Sequence, residues 1–298
     1  MQTRTLGSTG LDVTVVGIGT WQLGGEWGHH YTQPEANAIF DAARSCGINF
    51  IDTAECYGDH VSERLIGAAV ERDRDDWIIA TKFGHKYHGF MNRTEPREPA
   101  DVREQLESSL RALRTDRVEL LQYHSWGDGD FFRDDVTAEL IKLKEEGKYL
   151  HLGNSIGSNR NAKQADASTD RNCAFLQIIY NRLDRGPEDD VFPICQHQDL
   201  GVLARVPMAS GYLSGKYAPG DEAHFTGEDH RATRDKAQIR ATLEEVQRIK
   251  RDELPAGIDM PAWALAWCLK NPAVTCVIPG CKNAEQVRSN AAAAELEV

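Results

Sequence analysis

The sequence contains no apolar run long enough to cross a lipid bilayer. A membrane-spanning helix needs about 20 mostly apolar residues in succession, and polar or charged residues interrupt every apolar stretch of this 298-residue chain before that length. The first residues, Met1 to Ser8, also lack the apolar core of a secretion signal. We therefore expect a soluble, cytoplasmic protein that has no membrane partner.

Basic residues are scarce relative to acidic ones. The chain has 34 Lys and Arg against 46 Asp and Glu, which gives a formal net charge of −12. A general nucleic-acid binder needs a positive field that neutralises phosphates. We therefore expect no nucleic-acid partner, although a local cluster of cations would still permit an anionic small molecule.

Closely spaced metal ligands are missing as well. The seven cysteines are scattered without a Cys-x-x-Cys pair, and the pairs His29/His30 and His85/His88 have no acidic or cysteine cluster at ligand spacing. We therefore expect no metal site. An odd number of scattered cysteines, in a chain without a secretion signal, favours reduced thiols over disulfides.

Apolar, strand-like segments alternate with segments of helical periodicity along the chain. Two short strands around the turn at residues 7–10 predict an initial hairpin. The further strands that the pattern predicts are residues 15–21, 49–54, 77–82, 118–124, 149–152, 175–180, 202–206 and 275–278. The predicted helices are residues 32–47, 61–71, 101–113, 134–146, 191–198, 237–253, 261–270 and 284–294.

Eight strands in one series, without a linker-like change of composition, predict a (β/α)8 TIM barrel with a short N-terminal β-hairpin. We expect residues 1–298 to form a single domain. A doubly wound open sheet is the alternative, but eight units in an unbroken series suit a closed ring better. The polar segments 84–99 and 215–234 are expected to be loops that set substrate specificity, the second of them a long surface loop, and neither has a conformation that the sequence predicts.

One carboxylate interrupts an apolar strand. Asp52 lies in Asn49-Phe50-Ile51-Asp52-Thr53-Ala54. A buried unpaired charge costs about several kcal/mol, which is a large part of the net stability of a typical protein. A cation should therefore lie beside it. Lys82, at the end of the next predicted strand, is the candidate.

Two further titratable residues belong to the same rim of the predicted barrel. His124 ends the fourth strand, and Tyr57 follows the second strand by a few residues. The carboxyl ends of all strands share one mouth in such a barrel, and catalytic groups lie there. An ion pair, a phenol and an imidazole at one mouth suit proton transfer to a carbonyl oxygen.

With these residues in this order, the sequence resembles the aldo-keto reductase family. The resemblance rests on Gly17-Ile18-Gly19-Thr20-Trp21, on residues 49–54 with Tyr57-Gly58, on Thr81-Lys82 and His124, on Gln177 with Tyr180-Asn181, and on Ile278-Pro279-Gly280 with Gln286 and Asn290. It implies a nicotinamide-dependent reductase on a (β/α)8 barrel. Tyr57 would then be the general acid, Lys82 would lower its pKa, Asp52 would hold Lys82, and His124 would orient the substrate carbonyl.

The resemblance also implies a set of cofactor contacts. Ser155 and Gln177 fall where the family binds the carboxamide, and Lys216 is a candidate for the pyrophosphate. Lys282 could meet a 2′-phosphate, which favours NADP(H), with NAD(H) as the alternative. The implied cofactor-binding residues are Gly19, Thr20, Asp52, Ser155, Gln177, Arg205, Pro207, Met208, Ala209, Gly211, Leu213, Lys216, Gly280, Lys282, Gln286 and Asn290.

Two of these regions depart from the family pattern. The usual Gly-x-Ser-Asn is Gly153-Asn154-Ser155-Ile156 here, so one expected amide is absent and Asn154 is the candidate replacement. Arg205 stands where an aromatic ring often stacks on the nicotinamide. Its planar guanidinium is expected to stack instead.

The resemblance predicts a small aldehyde, ketone or sugar as substrate. Its pocket should be lined by Trp21, Tyr57, His124 and Trp126, which are mostly apolar walls. The last predicted helix ends close to Val298, so we expect no long C-terminal loop over the mouth. An open mouth suits sugars or mixed small carbonyl compounds.

Two other functions compete with a reductase. Some relatives of this fold are redox-sensing regulatory subunits that hold the cofactor tightly and turn over slowly. Residues 153–157 also satisfy the Gly-x-Ser-x-Gly pattern of serine hydrolases, but residues 158–172 are too polar for the packed helix that must follow. A lone dinucleotide fingerprint is excluded, because Gln22 stands where the third glycine should be.

Overall fold

The computed structural model describes residues 1–297, and its largest sheet has eight strands. The strands are β1 (Thr3–Thr5), β2 (Asp12–Thr14), β3 (Ile18–Gly19), β4 (Phe50–Asp52), β5 (Ile78–Phe83), β6 (Lys86–Gly89), β7 (Asn92–Thr94), β8 (Val118–His124), β9 (Tyr149–Ser155), β10 (Cys173–Ile179), β11 (Gly201–Arg205) and β12 (Cys276–Ile278). The α-helices are α1 (Gln33–Ser45), α2 (Val61–Val70), α3 (Pro99–Leu113), α4 (Asp128–Phe131), α5 (Asp134–Glu145), α6 (Ala162–Asp166), α7 (Val191–His197), α8 (Lys236–Asp252), α9 (Met260–Leu269) and α10 (Ala284–Ala291).

The large sheet is parallel throughout and curls into a barrel. Its strand order is β3, β4, β5, β8, β9, β10, β11 and β12, with parallel pairing at each step. Single bridges join Val16 to Val277 and Gly19 to Gly280, so the first and last strands meet. The predicted (β/α)8 barrel with an N-terminal hairpin is confirmed.

The local sequence explains where the first outer helix begins. Thr32 and Glu35 form the predicted capping box, in which the Glu35 carboxylate accepts the Thr32 backbone N–H at 2.8 Å. Pro34 lies in the first turn of α1, where its missing N–H costs nothing. Ala36, Ile39, Phe40 and Ala43 then face the barrel and are almost fully buried.

The β1–β2 hairpin closes the amino-terminal end of the barrel. Leu6 and Val13 are fully buried and pack with Phe50 and Phe175 inside the ring. The guanidinium of Arg4 donates to the backbone carbonyl of Leu269 at 3.0 Å. The hairpin is therefore a plug, and it leaves the opposite end of the barrel as the open mouth.

The expectation of a loop throughout residues 84–99 is wrong. The strands β6 and β7 form an antiparallel hairpin there, with Lys86 paired to Thr94. These strands are hard to predict because they are short and their side chains are mostly polar and at least partly exposed. The hairpin is held in place by a contact with the buried Glu26, in the loop after β3.

The segment 215–234 is only partly the surface loop that its polarity predicts. Two short 3-10 turns, Asp221–His224 and His230–Thr233, interrupt it, and His230 and Arg231 are 3% and 5% exposed. The Arg231 guanidinium lies 4.2 Å from the centroid of the Phe225 ring and pairs with Asp229 at 2.6 Å. Paired and stacked in this way, an arginine can be buried in a polar segment.

None of the described helices is long and apolar enough to span a bilayer. Within residues 1–297, no group of three or more His, Cys, Asp or Glu side chains comes together as a metal site would require. All seven cysteines are free thiols.

We expect Leu6→Ala to lower the free energy of unfolding by about 2–5 kcal/mol, because the barrel plug would lose a fully buried side chain and leave a cavity. Chemical denaturation measures this change. Leu150→Ala is the control, since Leu150 is 37% exposed, and it should shift stability by about 0.5 kcal/mol or less. Equal effects of the two changes would contradict the plug.

Candidate active site

The carboxylate and the amine that the sequence predicts to pair lie on adjacent strands. Lys82 Nζ is 2.8 Å from Asp52 Oδ2 and donates a second hydrogen bond to the Thr53 carbonyl at 2.7 Å. Lys82 and Asp52 are 1% and 4% exposed. Burial is the largest single effect on the pKa of Lys82 and lowers it, but the interactions with Asp52 and Tyr57 together exceed it, so the pKa is raised. Lys82 is therefore a fixed cation.

The second oxygen of Asp52 is held by two amides. Gln177 Nε2 donates to Oδ1 at 2.6 Å and Gln122 Nε2 donates at 3.2 Å. Ser155 Oγ donates in turn to Gln177 Oε1 at 3.1 Å. A buried network therefore runs from β9 and β10 to the ion pair. Sequence reasoning missed Gln122, although a glutamine two residues before His124 in an apolar strand was a signal.

Tyr57 presents its phenol to this ion pair from the loop that follows β4. Its hydroxyl oxygen is 3.3 Å from Lys82 Nζ, and the side chain is partly exposed at the mouth. The enclosing protein raises the pKa of Tyr57 above 10, and the charge of Lys82 only partly offsets this. Lys82 does lower the pKa of Tyr57, as expected, but burial raises this pKa by more, so the net shift is upward. Tyr57 remains a neutral donor.

The turn that carries Tyr57 is shaped by a close contact between two loops. Gly58 has a φ of +67°, and a Cβ there would lie 2.4 Å from the carbonyl oxygen of Gly24. Only glycine accepts both the left-handed backbone and this approach. The loop after β3 therefore fixes where the phenol points.

His124 lies at the end of β8, facing the phenol. Its ring centroid is 6.1 Å from that of Tyr57 and 4.6 Å from that of His85, in edge-to-face geometry. Burial lowers the pKa of His124 well below 6.5, and the nearby His85 and Lys82 lower it further. The imidazole is therefore neutral, and it can donate a hydrogen bond without carrying a charge.

A buried carboxylate that sequence reasoning missed holds the β6–β7 hairpin at the mouth. Glu26 is 1% exposed and accepts hydrogen bonds from Trp21 Nε1 at 2.7 Å and from the Met91 backbone N–H at 3.0 Å. It also pairs with the guanidinium of Arg93. Trp21, a predicted substrate contact, and the hairpin therefore share one anchor.

Glu55, between Asp52 and Tyr57, was also missed. It is 3% exposed, and its Oε1 has no hydrogen-bond partner among the described residues. Burial raises the pKa of Glu55 to about 8, with a further contribution from the charge of Glu63. In the sequence, only its position between Ala54 and Tyr57, within the stretch that carries the family resemblance, points to it. The consequence is a carboxyl group that is neutral at pH 7.

Trp126 lies behind the mouth rather than at its edge. It is 1% exposed, packs edge-on against Phe83 and Tyr123, and has the Arg97 guanidinium 4.5 Å from its ring centroid. Gly84 passes so closely that a Cβ there would be 1.8 Å from Trp126 Nε1. Its contact with substrate stays a prediction.

The predicted cofactor residues form an arc along the mouth from β9 to α10, which meets β3 at the seam of the barrel. Lys216 and Lys282 are exposed, and no carboxylate of the described residues lies within 4 Å of either amine. Gln286 Oε1 accepts the Lys282 backbone N–H at 2.9 Å. The Lys282 amine lies beside the start of α10, and the Lys216 amine lies in the segment that follows β11. Two unpaired ammonium groups are the chemistry that phosphates require, so this arc fits a dinucleotide.

Other predicted cofactor residues have structural partners in this arc. Thr20 Oγ1 donates to the Asp52 carbonyl at 2.9 Å, and Asn290 Nδ2 lies 3.2 Å from Cys281 Sγ. At Gly19 a Cβ would be 2.7 Å from the Ile278 carbonyl oxygen. These residues shape the seam, and their contact with a cofactor stays a prediction.

Asn154 does not take over the position of the missing amide. Its Nδ2 donates to Gln164 Oε1 of α6 at 3.0 Å, because successive side chains of a strand point to opposite faces and Ser155 is the one that faces the barrel interior. Ile156 is fully buried in the apolar layer beneath the helices. Gln177 is therefore the amide that Ser155 contacts in this part of the site.

The arrangement around Ser155 lacks the features of a hydrolase. Ser155 is 1% exposed and donates to Gln177, with no histidine in hydrogen-bond contact among the described residues. The next helix, α6, starts only at Ala162 and is five residues long. A nucleophile elbow leads directly from strand to helix, so this strand end is not one.

The sequence matches the model of the Aldo/keto reductase family over residues 15–298. The chain belongs to this family. As an aldo/keto reductase it is an oxidoreductase with a nicotinamide cofactor and a carbonyl or alcohol substrate, as the resemblance of its motifs implied. The Asp52–Lys82–Tyr57–His124 constellation lies where this barrel opens.

Several relatives cover nearly the whole chain. The Bacillus subtilis oxidoreductase YqkF is 30% identical, over 99% of this chain and 91% of its own length. A probable voltage-gated potassium channel subunit beta from Oryza sativa is 28% identical, over 97% and 90%. The NADH-specific methylglyoxal reductase of Escherichia coli is 29% identical, over 100% and 95%.

Solved structures agree with this assignment. An aldo-keto reductase from Bacillus halodurans, in its holo form, superposes with a TM-score of 0.83 at 29% identity, over 100% of this chain and 92% of that chain. Family and fold are therefore shown together.

We expect Glu26→Gln to loosen the β6–β7 hairpin, because Arg93 would keep its charge and lose its buried counter-charge. Amide hydrogen exchange in residues 86–94 should accelerate by roughly tenfold or more, as the loss of one charge-assisted hydrogen bond implies. Glu228→Gln is the control, since Glu228 is an exposed partner of His30. Unchanged exchange in Glu26→Gln would rule out the anchor.

Glu55→Gln should change the pH dependence of stability. The pKa of about 8 lies above the ordinary 4.5, so the folded state binds this proton more tightly and wild-type stability falls as pH rises from about 4.5 to about 8. Between pH 5 and 9 the wild type should lose on the order of 3–5 kcal/mol more than the variant. Urea titrations at both pH values, with exposed Glu104→Gln as control, measure this. Parallel curves would refute it.

Proposed function

We propose that this aldo/keto reductase is NADP(H)-dependent and reduces the carbonyl group of a small aldehyde, ketone or sugar, with Tyr57 as the general acid. The observation that carries the proposal is the 3.3 Å contact of the Tyr57 hydroxyl with Lys82 Nζ, which is itself paired with Asp52 at 2.8 Å. A neutral phenol beside a fixed cation is a proton donor whose anion is stabilised as it forms.

The bound nicotinamide would supply the hydride to the carbonyl carbon. Ser155 and Gln177 are the residues that would hold its carboxamide, and the exposed amines of Lys216 and Lys282 would meet its phosphates. The free amine of Lys282 beside α10 favours a 2′-phosphate and hence NADP(H). The NADH-specific relative from Escherichia coli keeps NAD(H) as the alternative.

The proton transfer follows from the positions of four side chains. Tyr57 donates its phenolic proton to the carbonyl oxygen, and Lys82 stabilises the phenolate. Asp52 keeps Lys82 charged and in place. The neutral imidazole of His124 donates a hydrogen bond to the same carbonyl oxygen and orients it.

We expect Tyr57→Phe to lower kcat by a factor of about 10²–10⁴, because the general acid is removed, while the cofactor still binds. Steady-state rates with a panel of aldehydes and ketones, each with NADPH and with NADH, measure both the loss and the cofactor preference. Tyr87→Phe is the control, since Tyr87 lies in the hairpin. Unaltered kcat in Tyr57→Phe would remove Tyr57 from the mechanism.

A redox-sensing regulatory subunit is the second candidate function. The likeness to a probable voltage-gated potassium channel subunit beta supports it. The two functions differ in turnover. The reductase predicts cofactor oxidation well above background with at least one carbonyl compound in the same panel, whereas a sensor predicts tight cofactor binding and almost no turnover. The complete set of Asp52, Tyr57, Lys82 and His124 supports the reductase.

The cellular setting stays a set of predictions. We infer a cytoplasmic protein with a small carbonyl or sugar substrate and without nucleic-acid or membrane partners. The charge of −12 and the free cysteines support this setting.

A further inference from the structure

Arg205 forms one wall of the active-site mouth. It ends β11, where it lies opposite Ile179 of β10 and Ile278 of β12. Its guanidinium reaches past β10 to the end of β9, where Nη2 donates to the Ile156 carbonyl at 3.1 Å. The side chain therefore spans the strand ends that carry Ser155 and Gln177.

The guanidinium of Arg205 makes no ion pair among the described residues. No carboxylate of residues 1–297 lies within 4 Å of its guanidinium, and Nε is shielded from solvent without a hydrogen-bond partner. Burial lowers the pKa of Arg205, and the neighbouring Tyr57 and Asp52 only partly oppose this. An arginine nevertheless stays protonated in proteins, so the wall is positive.

The other buried charges at the mouth cancel in pairs. Lys82 is neutralised by Asp52 at 2.8 Å, and Arg93 is neutralised by Glu26. His124 is uncharged, because burial holds its pKa well below 6.5. Arg205 is therefore the charge that remains, beside the two groups that would hold a carboxamide.

We propose that Arg205 makes this site discriminate between the two oxidation states of the cofactor and favour the reduced one. This inference rests on the proposed function. The nicotinamide ring carries a positive charge when it is oxidised and none when it is reduced. A fixed cation in a poorly hydrated wall repels only the oxidised ring, and an aromatic side chain at the same position would not.

The preference for the reduced cofactor favours one direction of the reaction. Carbonyl reduction consumes the reduced cofactor and leaves the oxidised one in the site. Repulsion from Arg205 weakens the binding of that product and so favours its release, while reduced cofactor binds unopposed. The enzyme is thereby biased towards reduction of carbonyls over oxidation of alcohols.

The test is the ratio of dissociation constants for NADP⁺ and NADPH, measured by titration calorimetry and nucleotide fluorescence without any substrate. We expect Arg205→Met to lower the ratio Kd(NADP⁺)/Kd(NADPH) roughly tenfold, equal to about 1.4 kcal/mol. Arg205→Lys keeps the charge and should keep the ratio within about threefold of wild type. Arg72→Met, at the far end of the barrel and 68% exposed, should change nothing.

The outcomes separate this inference from the proposed function. If neither nucleotide binds the wild type, NAD⁺ and NADH included, the proposed function fails. If both bind and Arg205→Met weakens them equally, or leaves the ratio unchanged, the charge discrimination is overturned and the function stands. Thermal melting of each variant shows whether it is folded, and Arg205→Gln, which also removes the charge and should lower the ratio in the same way, replaces Arg205→Met if that variant is unfolded.

Discussion

The buried ion pair of Asp52 and Lys82 is the interaction on which the active site depends. Two opposite charges are removed from water here, and each is satisfied by further hydrogen bonds, to the Thr53 carbonyl on one side and to Gln122 and Gln177 on the other. Such a pair contributes little net stability compared with apolar packing. Its value lies in specificity, because it leaves a charged amine at one fixed place beside a phenol.

The sequence was sufficient for the architecture and for the centre of the site. The period of the apolar segments predicted eight strands, and the cost of burying Asp52 led to Lys82. Both arguments work because burial constrains residue type strongly. The strand boundaries were less exact, and β9 extends to Ser155 rather than ending at Leu152, since a buried polar residue reads as the end of a strand.

What the sequence did not reveal is set by contacts between distant loops. No motif marks Glu26, Met91 or Arg93 in the sequence. Only the fold brings them together as the contact that holds the β6–β7 hairpin. The upward shift of the Tyr57 pKa likewise depends on how completely the surrounding residues exclude water, which no motif records. Strand alternation turns Asn154 outward, but only the fold places Gln164 of α6 there as its partner.

The arc that would hold the cofactor is complete only when the first and last strands of the barrel meet at its seam. Gly19 is bridged to Gly280, so groups more than 250 positions apart along the chain stand side by side. The groove for the cofactor lacks one wall until β12 pairs with β11 and its following residues meet β3. Such long-range closure is slow in folding, so an incomplete chain should recognise no dinucleotide.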